Sequence, residues 1–561
     1  MRHFIACRSA LLALLLILVS TAVPAHDEKS PHAKPVRVLG TIDFPTSARS
    51  PDAQRAFIRG VLLLHLFEYP FAKDEFLDAQ RIEPGFVLAY WGEALTYNHP
   101  IWDEQDLTRA RAALAKLATT ADRRIAMAST PREKGLLASL DILYGDGTKA
   151  ERDRAYAQAL QALAERFPAD REVQLQYSLA LMGAHAGVRD VPSYMRAAAI
   201  AQRVFCANPK HPGAAHYLIH AVDDPDHAVL GLDAARALEK MAPDASHSLH
   251  MASHIYVALG MWDDVVRANE AAGIVRNRMS AERGEKPTSW GHANFWLLYG
   301  YLQQGRYAQA RQLLDKARQQ LLATDKPPPD PLELDPDNSI QGSVAQMWAR
   351  YLIETGEWDG EVAGWTLNAR DAYDARLTLL HVAVLRAART SRPDEAMSAL
   401  ERFRALRGEL DAKLHAQAEN KPTDRLYLKR LDVLDQEMQA QIERARGNLA
   451  VAVERARAAS RLEGEIPAPF GPPYIDWPAA EMAGQLMLES GDYAGASAAF
   501  ETQLKRTTSR PAALVGRARS EAALGHVAAA QAALAQVRSI WSAADPSVKS
   551  GIEAERIKQT E

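Results

Sequence analysis

Residues 479–511 read AAEMAGQLMLESGDYAGASAAFETQLKRTTSRP, and this stretch decides the fold class. Two runs of good helix formers flank Gly491-Asp492-Tyr493, which reads as a short inter-helix turn. Ala496 and Phe500 lie four apart on the second run, so one helical face carries a small residue and an aromatic. Gly525 follows Gly491 by 34 residues and opens the same pattern again with Ala530. One such helix pair cannot bury its own apolar face, so copies must stack on their neighbours.

Working outward, the same turn recurs as LGMWDD (259–264), QGRYAQA (304–310) and TGEWDG (355–360). Near the N-terminal end, Phe76, Ala79 and Pro84 sit at matching spacing, with Trp91-Gly92 opening the next unit. These motifs resemble the tetratricopeptide repeat (TPR). Three longer stretches, AYWGEALTYNHPIW (89–102), HYLIHAVDDPDHA (216–228) and HSLHMASHIYVALGMWDD (247–264), are similar to those of exported bacterial TPR proteins. The resemblance implies an all-α fold of antiparallel helix-pair repeats forming a right-handed superhelical solenoid, which is a binding surface first. The copies are uneven. The excess falls in KPTSWG (286–291) and KPPPDPLELDPDN (326–338), which read as loops. The expected organisation is an irregular TPR-like solenoid over 50–465, a Pro-rich loop over 466–478 and a C-terminal TPR pair over 479–545.

Hydrophobic content of 47% supports burial along such an array, and 24% charge keeps its outside solvated. A formal net charge of -4 offers no basic stripe, which argues against nucleic acid as a partner. Arg2, His3 and Arg8 precede the apolar run 10–22, and Val23-Pro24-Ala25 supplies small residues. That pattern predicts a signal peptide over 1–25, cleaved after Ala25, export to the periplasm, and a disordered segment over 26–49. No later run is long and apolar enough to span a bilayer, so no integral span is expected after cleavage. Cys7 would leave with the signal, and Cys206 reads as a small buried hydrophobe.

The histidines are the informative residues. His216 and His220 are four apart on one predicted helix, and His250 and His254 are four apart on another. A step of four stacks side chains on one helical face. The two pairs are separated by 34 residues, one repeat, as are His65/His99 and His381/His415. Two such helices side by side can offer imidazoles to one transition-metal ion, zinc, copper or iron. His99, His247 and His292 are placed at or near the same concave groove, with Trp91 and Trp290 beside it. Asp223 and Asp224 follow His220 by one turn, as ligands or as groups fixing a tautomer. His227 reads as a surface or capping residue.

No nucleophile elbow, phosphate-cradling loop, zincin motif or dinucleotide fingerprint is present. Two functional readings follow. In one, the groove carries a multi-histidine metal site on His216, His220, His250 and His254, open to catalysis if a coordination position is free, with Asp223, Asp224, Glu93 or Tyr97 nearest for proton transfer. In the other, the groove is a metal-free scaffold holding an extended peptide or a partner protein, with Trp91, Trp102, Trp290 and Trp296 as contacts.

Overall fold

The computed structural model describes residues 37–185, 189–325, 327–328, 330–417 and 422–554. The expected signal peptide over 1–25 and the start of the expected N-terminal segment lie outside them. The described chain is all-α, a TPR-like solenoid of 25 helices with a single two-residue ladder, Asn98–His99 against Glu104–Gln105. Among the described residues no helix is long and apolar enough to cross a membrane.

Local chemistry explains the helix boundaries. Thr130 and Thr148 open their helices with reciprocal capping boxes to Glu133 and Glu151. Glycines 260, 305, 356, 447, 491 and 525 all adopt φ between 67° and 83°, the left-handed conformation that ends a helix and lets the next turn back. Crossing points use glycine differently. An added Cβ at Gly484 would stand 2.8 Å from the Phe500 ring, and one at Gly516 would stand 2.2 Å from it. Gly60 and Gly92 meet Phe76 in the same way, at 2.7 and 2.3 Å. In both cases the glycines lie sixteen residues before and after the aromatic, so one ring is clamped between two helices that approach to contact.

Three long-range dockings position the centre of the molecule. The segment from Val38 to Ser50 forms no helix or strand, with Phe44 buried and the Thr41 N–H donating to the Lys210 carbonyl at 2.9 Å. The expectation of disorder through residue 49 is therefore corrected from Val38 onward: Leu39 and Phe44 are apolar anchors for it. The loop 466–478 returns as a strap, its Pro473 and Asp476 carbonyls accepting from the buried Arg350 guanidinium. The C-terminal repeats fold back on the middle ones. Trp262 Nε1–H donates to the Ser509 carbonyl, and the fully buried Arg510 pairs with Glu481, Glu354 and the Tyr299 hydroxyl. Cys206 is exposed rather than buried. On the Val191–Ala207 helix the buried stripe runs through Ala197, Ile200, Ala201 and Val204, and residue 206 falls off it.

Candidate metal centre

The helix Pro212–Val222 is apolar almost all round, and every residue of it is buried. Its two histidines have no outer face to occupy and must point into the protein. The helix Ser246–Ala258 behaves likewise, burying His250 and His254. His247 sits in its first turn, and the helix His292–Gln303 starts with His292. Six imidazoles therefore come from three helices into one region.

They sort into two triads. His216, His220 and His247 place one ligand atom each within 4.8 Å of one another, and so do His250, His254 and His292. All four histidines expected to share one ion do not form one such group among the described residues; each HxxxH pair gains a third imidazole, and one histidine of each pair, His220 and His254, comes together with Asp223. Ring centroids are 4.8 Å apart for His216–His220 and 5.0 Å for His216–His247. The second triad has 5.1 Å for His250–His254 and 4.6 Å for His250–His292. The triads adjoin, with His220 and His254 rings at 5.4 Å.

In the first triad the Nε2 atoms of His216, His220 and His247 are all buried and have no hydrogen-bond partner. His216 Nδ1–H donates to the His65 carbonyl at 2.6 Å, which fixes the tautomer and leaves Nε2 with its lone pair. His220 Nδ1 lies 3.6 Å from Asp223 Oδ2. Phe67 closes this triad, its ring 4.4 Å from that of His216. Phe67 holds φ 55, a costly conformation for a bulky residue that only firm surroundings maintain.

The second triad is anchored in the same way. His250 Nδ1 meets Asn269 Oδ1 at 2.7 Å, His254 Nδ1 meets Asp223 Oδ2 at 2.9 Å, and His292 Nδ1 meets Asp337 Oδ2. Asp223 Oδ2 thus anchors His254 of the second triad and stands 3.6 Å from His220 of the first, and Arg189 holds its other oxygen at 2.7 Å. Asp224 binds Arg189 and His227 instead, which places both outside the triads.

Burial lowers the pKa of His216, His247 and His250 well below the ordinary histidine value, and neighbouring imidazoles add to it. His254 is lowered to about 4 by burial, against the pull of Asp223. These rings are neutral at pH 7, the state in which imidazole ligates a metal. For His292 burial acts downward but the Asp337 carboxylate outweighs it, raising the pKa. Asp335, half-buried beside Asp337, is pushed up to about 7 by loss of solvent and by the Asp337 charge.

A third group, His65, Glu172 and His211, was not read from the sequence. It differs in kind. Glu172 accepts from His65 Nε2–H at 2.8 Å and His211 Nε2–H at 3.0 Å, while His65 Nδ1 accepts from the Tyr217 hydroxyl. His211 Nδ1 caps the next helix by accepting from Ala214 N–H. Every ring nitrogen is satisfied, so this group is a staple between helices rather than a ligand set. The register of His65 gave no signal of it, because the partners are 107 and 152 residues away.

In front of the second triad lies a cavity of about 1370 Å³. His292, Trp296, His99, Trp102, Asp335 and Asp337 are among its walls, whereas His250 and His254 lie behind them. His99 sits on the short ladder, stacked 4.0 Å from Tyr69, and is not equivalent to His65. Tyr97 lines the same cavity, while Glu93 is buried and paired with Lys116 and Gln80. Trp91 is a correction. It is fully buried, 6.0 Å from the Phe44 ring, because the helix Val87–Leu95 is buried along its whole length and has no groove face. Trp290 is half-buried, gives its carbonyl to Asn294, and is not part of the cavity wall.

No protein-family model matches the chain, and no curated protein matches it. Similar solved structures include the Cut9–Hcn1 hetero-tetramer of the APC/C, at TM-score 0.33 and 11% identity over 90% of this chain and 76% of that one. The human IFIT1 dimer with PPP-AAAA gives TM-score 0.33 and 12% identity over 85% and 95%. Yeast Tom70 gives TM-score 0.27 and 11% identity over 90% and 94%. Overlaps this small carry no inference about this chain's function.

Proposed function

We propose that the protein is an exported TPR-like scaffold that binds a transition-metal ion through His216, His220 and His247. The observation that carries this reading is the set of three buried Nε2 atoms, each without a partner, on histidines that bring one ring nitrogen each within 4.8 Å of the others. Leaving one buried polar atom unsatisfied costs about 1–3 kcal/mol, so three on neighbouring rings favour a ligand that compensates. Imidazole-only sets suit zinc, copper, nickel and iron, and three protein ligands leave a fourth position open. A peptide-binding groove without metal is favoured by the aromatic cavity walls, but it leaves those three nitrogens unexplained.

Elemental analysis of the purified full chain, beside His247→Ala, tests the reading. His247 is only half-buried, so its loss should leave the fold intact. A stoichiometric ion in the wild type that the variant loses is the expected result. A wild type that takes up no zinc, copper, nickel or iron when dialysed against each overturns it.

A further inference from the structure

We propose that His250, His254 and His292 hold a second transition-metal ion beside the first, and that this second ion is the exchangeable, cavity-facing member of a two-ion centre. The pairing rests on the reading given for His216, His220 and His247; the second site itself stands on its own geometry.

The tautomers decide it. Asn269 Nδ2–H donates to the Val265 carbonyl at 2.8 Å, so its Oδ1 is the atom turned toward His250. His250 must therefore carry its proton on Nδ1. His254 Nδ1 faces a carboxylate oxygen of Asp223, which only accepts, so its proton is on Nδ1 as well. The two Nε2 atoms then approach to 3.2 Å with a lone pair each and no proton between them. Such a contact between neutral rings is repulsive. It is also close to the separation of two nitrogens on one tetrahedral ion, about 3.3 Å for bonds of 2.0–2.1 Å. His292 completes the set, with Asp337 on Nδ1 and Nε2 left for the ion. A carbonyl, amide or carboxylate behind each ligating ring is the usual outer support of metal-bound histidine.

The two sites differ in access. His292 and Trp296 line the large cavity, so the second ion has a solvent-connected open side. The first triad lies behind Trp102, whose ring is 5.8 Å from His247, and beneath Phe67. Asp223 Oδ2 reaches His254 Nδ1 at 2.9 Å and stands 3.6 Å from His220 Nδ1, so one carboxylate lies between the two sites. Donors of imidazole type with one open position suit zinc or cobalt held for Lewis-acid chemistry on a molecule in the cavity.

The test loads metal-stripped full-length protein with Co²⁺ and separately with Zn²⁺, and counts ions per chain after dialysis for the wild type, His247→Ala, His292→Ala and the double variant. Two ions in the wild type, one in each single variant and none in the double are expected. A chelator challenge should remove one wild-type ion at least tenfold faster than the other, and His292→Ala should lack that fast phase. One wild-type ion that His247→Ala loses and His292→Ala keeps overturns the second site and leaves the first standing. One ion lost in both variants means a single shared site and overturns the pair. Two ions unaffected by His292→Ala overturn it too, and no ion at all sinks both readings.

Discussion

Glu172 is the residue on which the N-terminal helices converge, since it accepts from His65 and His211 in a buried setting. Burial alone would raise its pKa, yet the two imidazoles hold it down at about 2. Its contribution is therefore present above about pH 4.5, the unfolded value, and is lost as pH falls toward 2. The lowered histidines act earlier. His216, His247, His250 and His254 resist protonation when folded, so the unfolded chain gains protons first and stability declines below about pH 6.5. Urea unfolding of metal-free protein should show midpoints falling from pH 6.5 downward, and bound metal should resist that fall until protons displace it. Glu172→Gln should cost about 3 kcal/mol at pH 7 through the loss of two charge-assisted bonds, with metal content unchanged. The sequence could show the HxxxH pairs because a four-residue step and a repeat period are local properties. It could not show that His247 and His292 divide those pairs into triads. Asp223 was legible as a tautomer-fixing group one turn after His220, but the anchoring atoms of His65, Asn269 and Asp337 come from elsewhere in the fold, and no periodicity predicts them.

At the scale of helices and turns, the 34-residue period was legible because a glycine ends many of the first helices in a left-handed cap. The period also misled. His381 is buried near Glu437 while His415 is exposed, so their spacing reflects no shared position. Trp91 was placed on a groove face that its buried helix does not have. The crossing glycines give a sharper rule. Gly516→Val would drive a branched side chain into the Phe500 ring, whose nearest atom already stands 2.2 Å from an added Cβ. Overpacking of this kind costs about 1–3 kcal/mol. Thermal unfolding should fall by several degrees, while Gly525→Ala at the neighbouring turn, with open space but φ 81, should fall by less. Equal losses at the two positions would mean that the clamp around Phe500 is not what sets the helix spacing.

Over the whole molecule, the solenoid is tied back on itself through Arg510, which bonds Glu481 at 2.7 Å and Glu354 at 2.6 Å in a buried interface. The sequence set the last two repeats apart behind a Pro-rich loop; their docking depends on an ion-pair network whose members are up to 211 residues apart. Arg510→Ala would leave the buried Glu481 without its cation and Glu354 with only Arg350 at 3.7 Å, a loss of about 3–5 kcal/mol. Limited proteolysis should then release the repeats after residue 478, while the wild type resists cleavage there. The strap that Arg350 holds also bears on the metal region, because Phe470 stacks on His254 at 5.9 Å and Gly471 packs against Trp296. Scaffold, strap and histidines therefore form one device, and its central claim is an ion among imidazoles. Anomalous diffraction from crystals of the metal-loaded protein, recorded at the absorption edge of the bound element, tests that claim most directly. A peak about 2.0–2.1 Å from Nε2 of His216, His220 and His247 is expected, with a second peak on the His250, His254 and His292 side. Crystals showing no anomalous peak within bonding distance of any of the six imidazoles would contradict it.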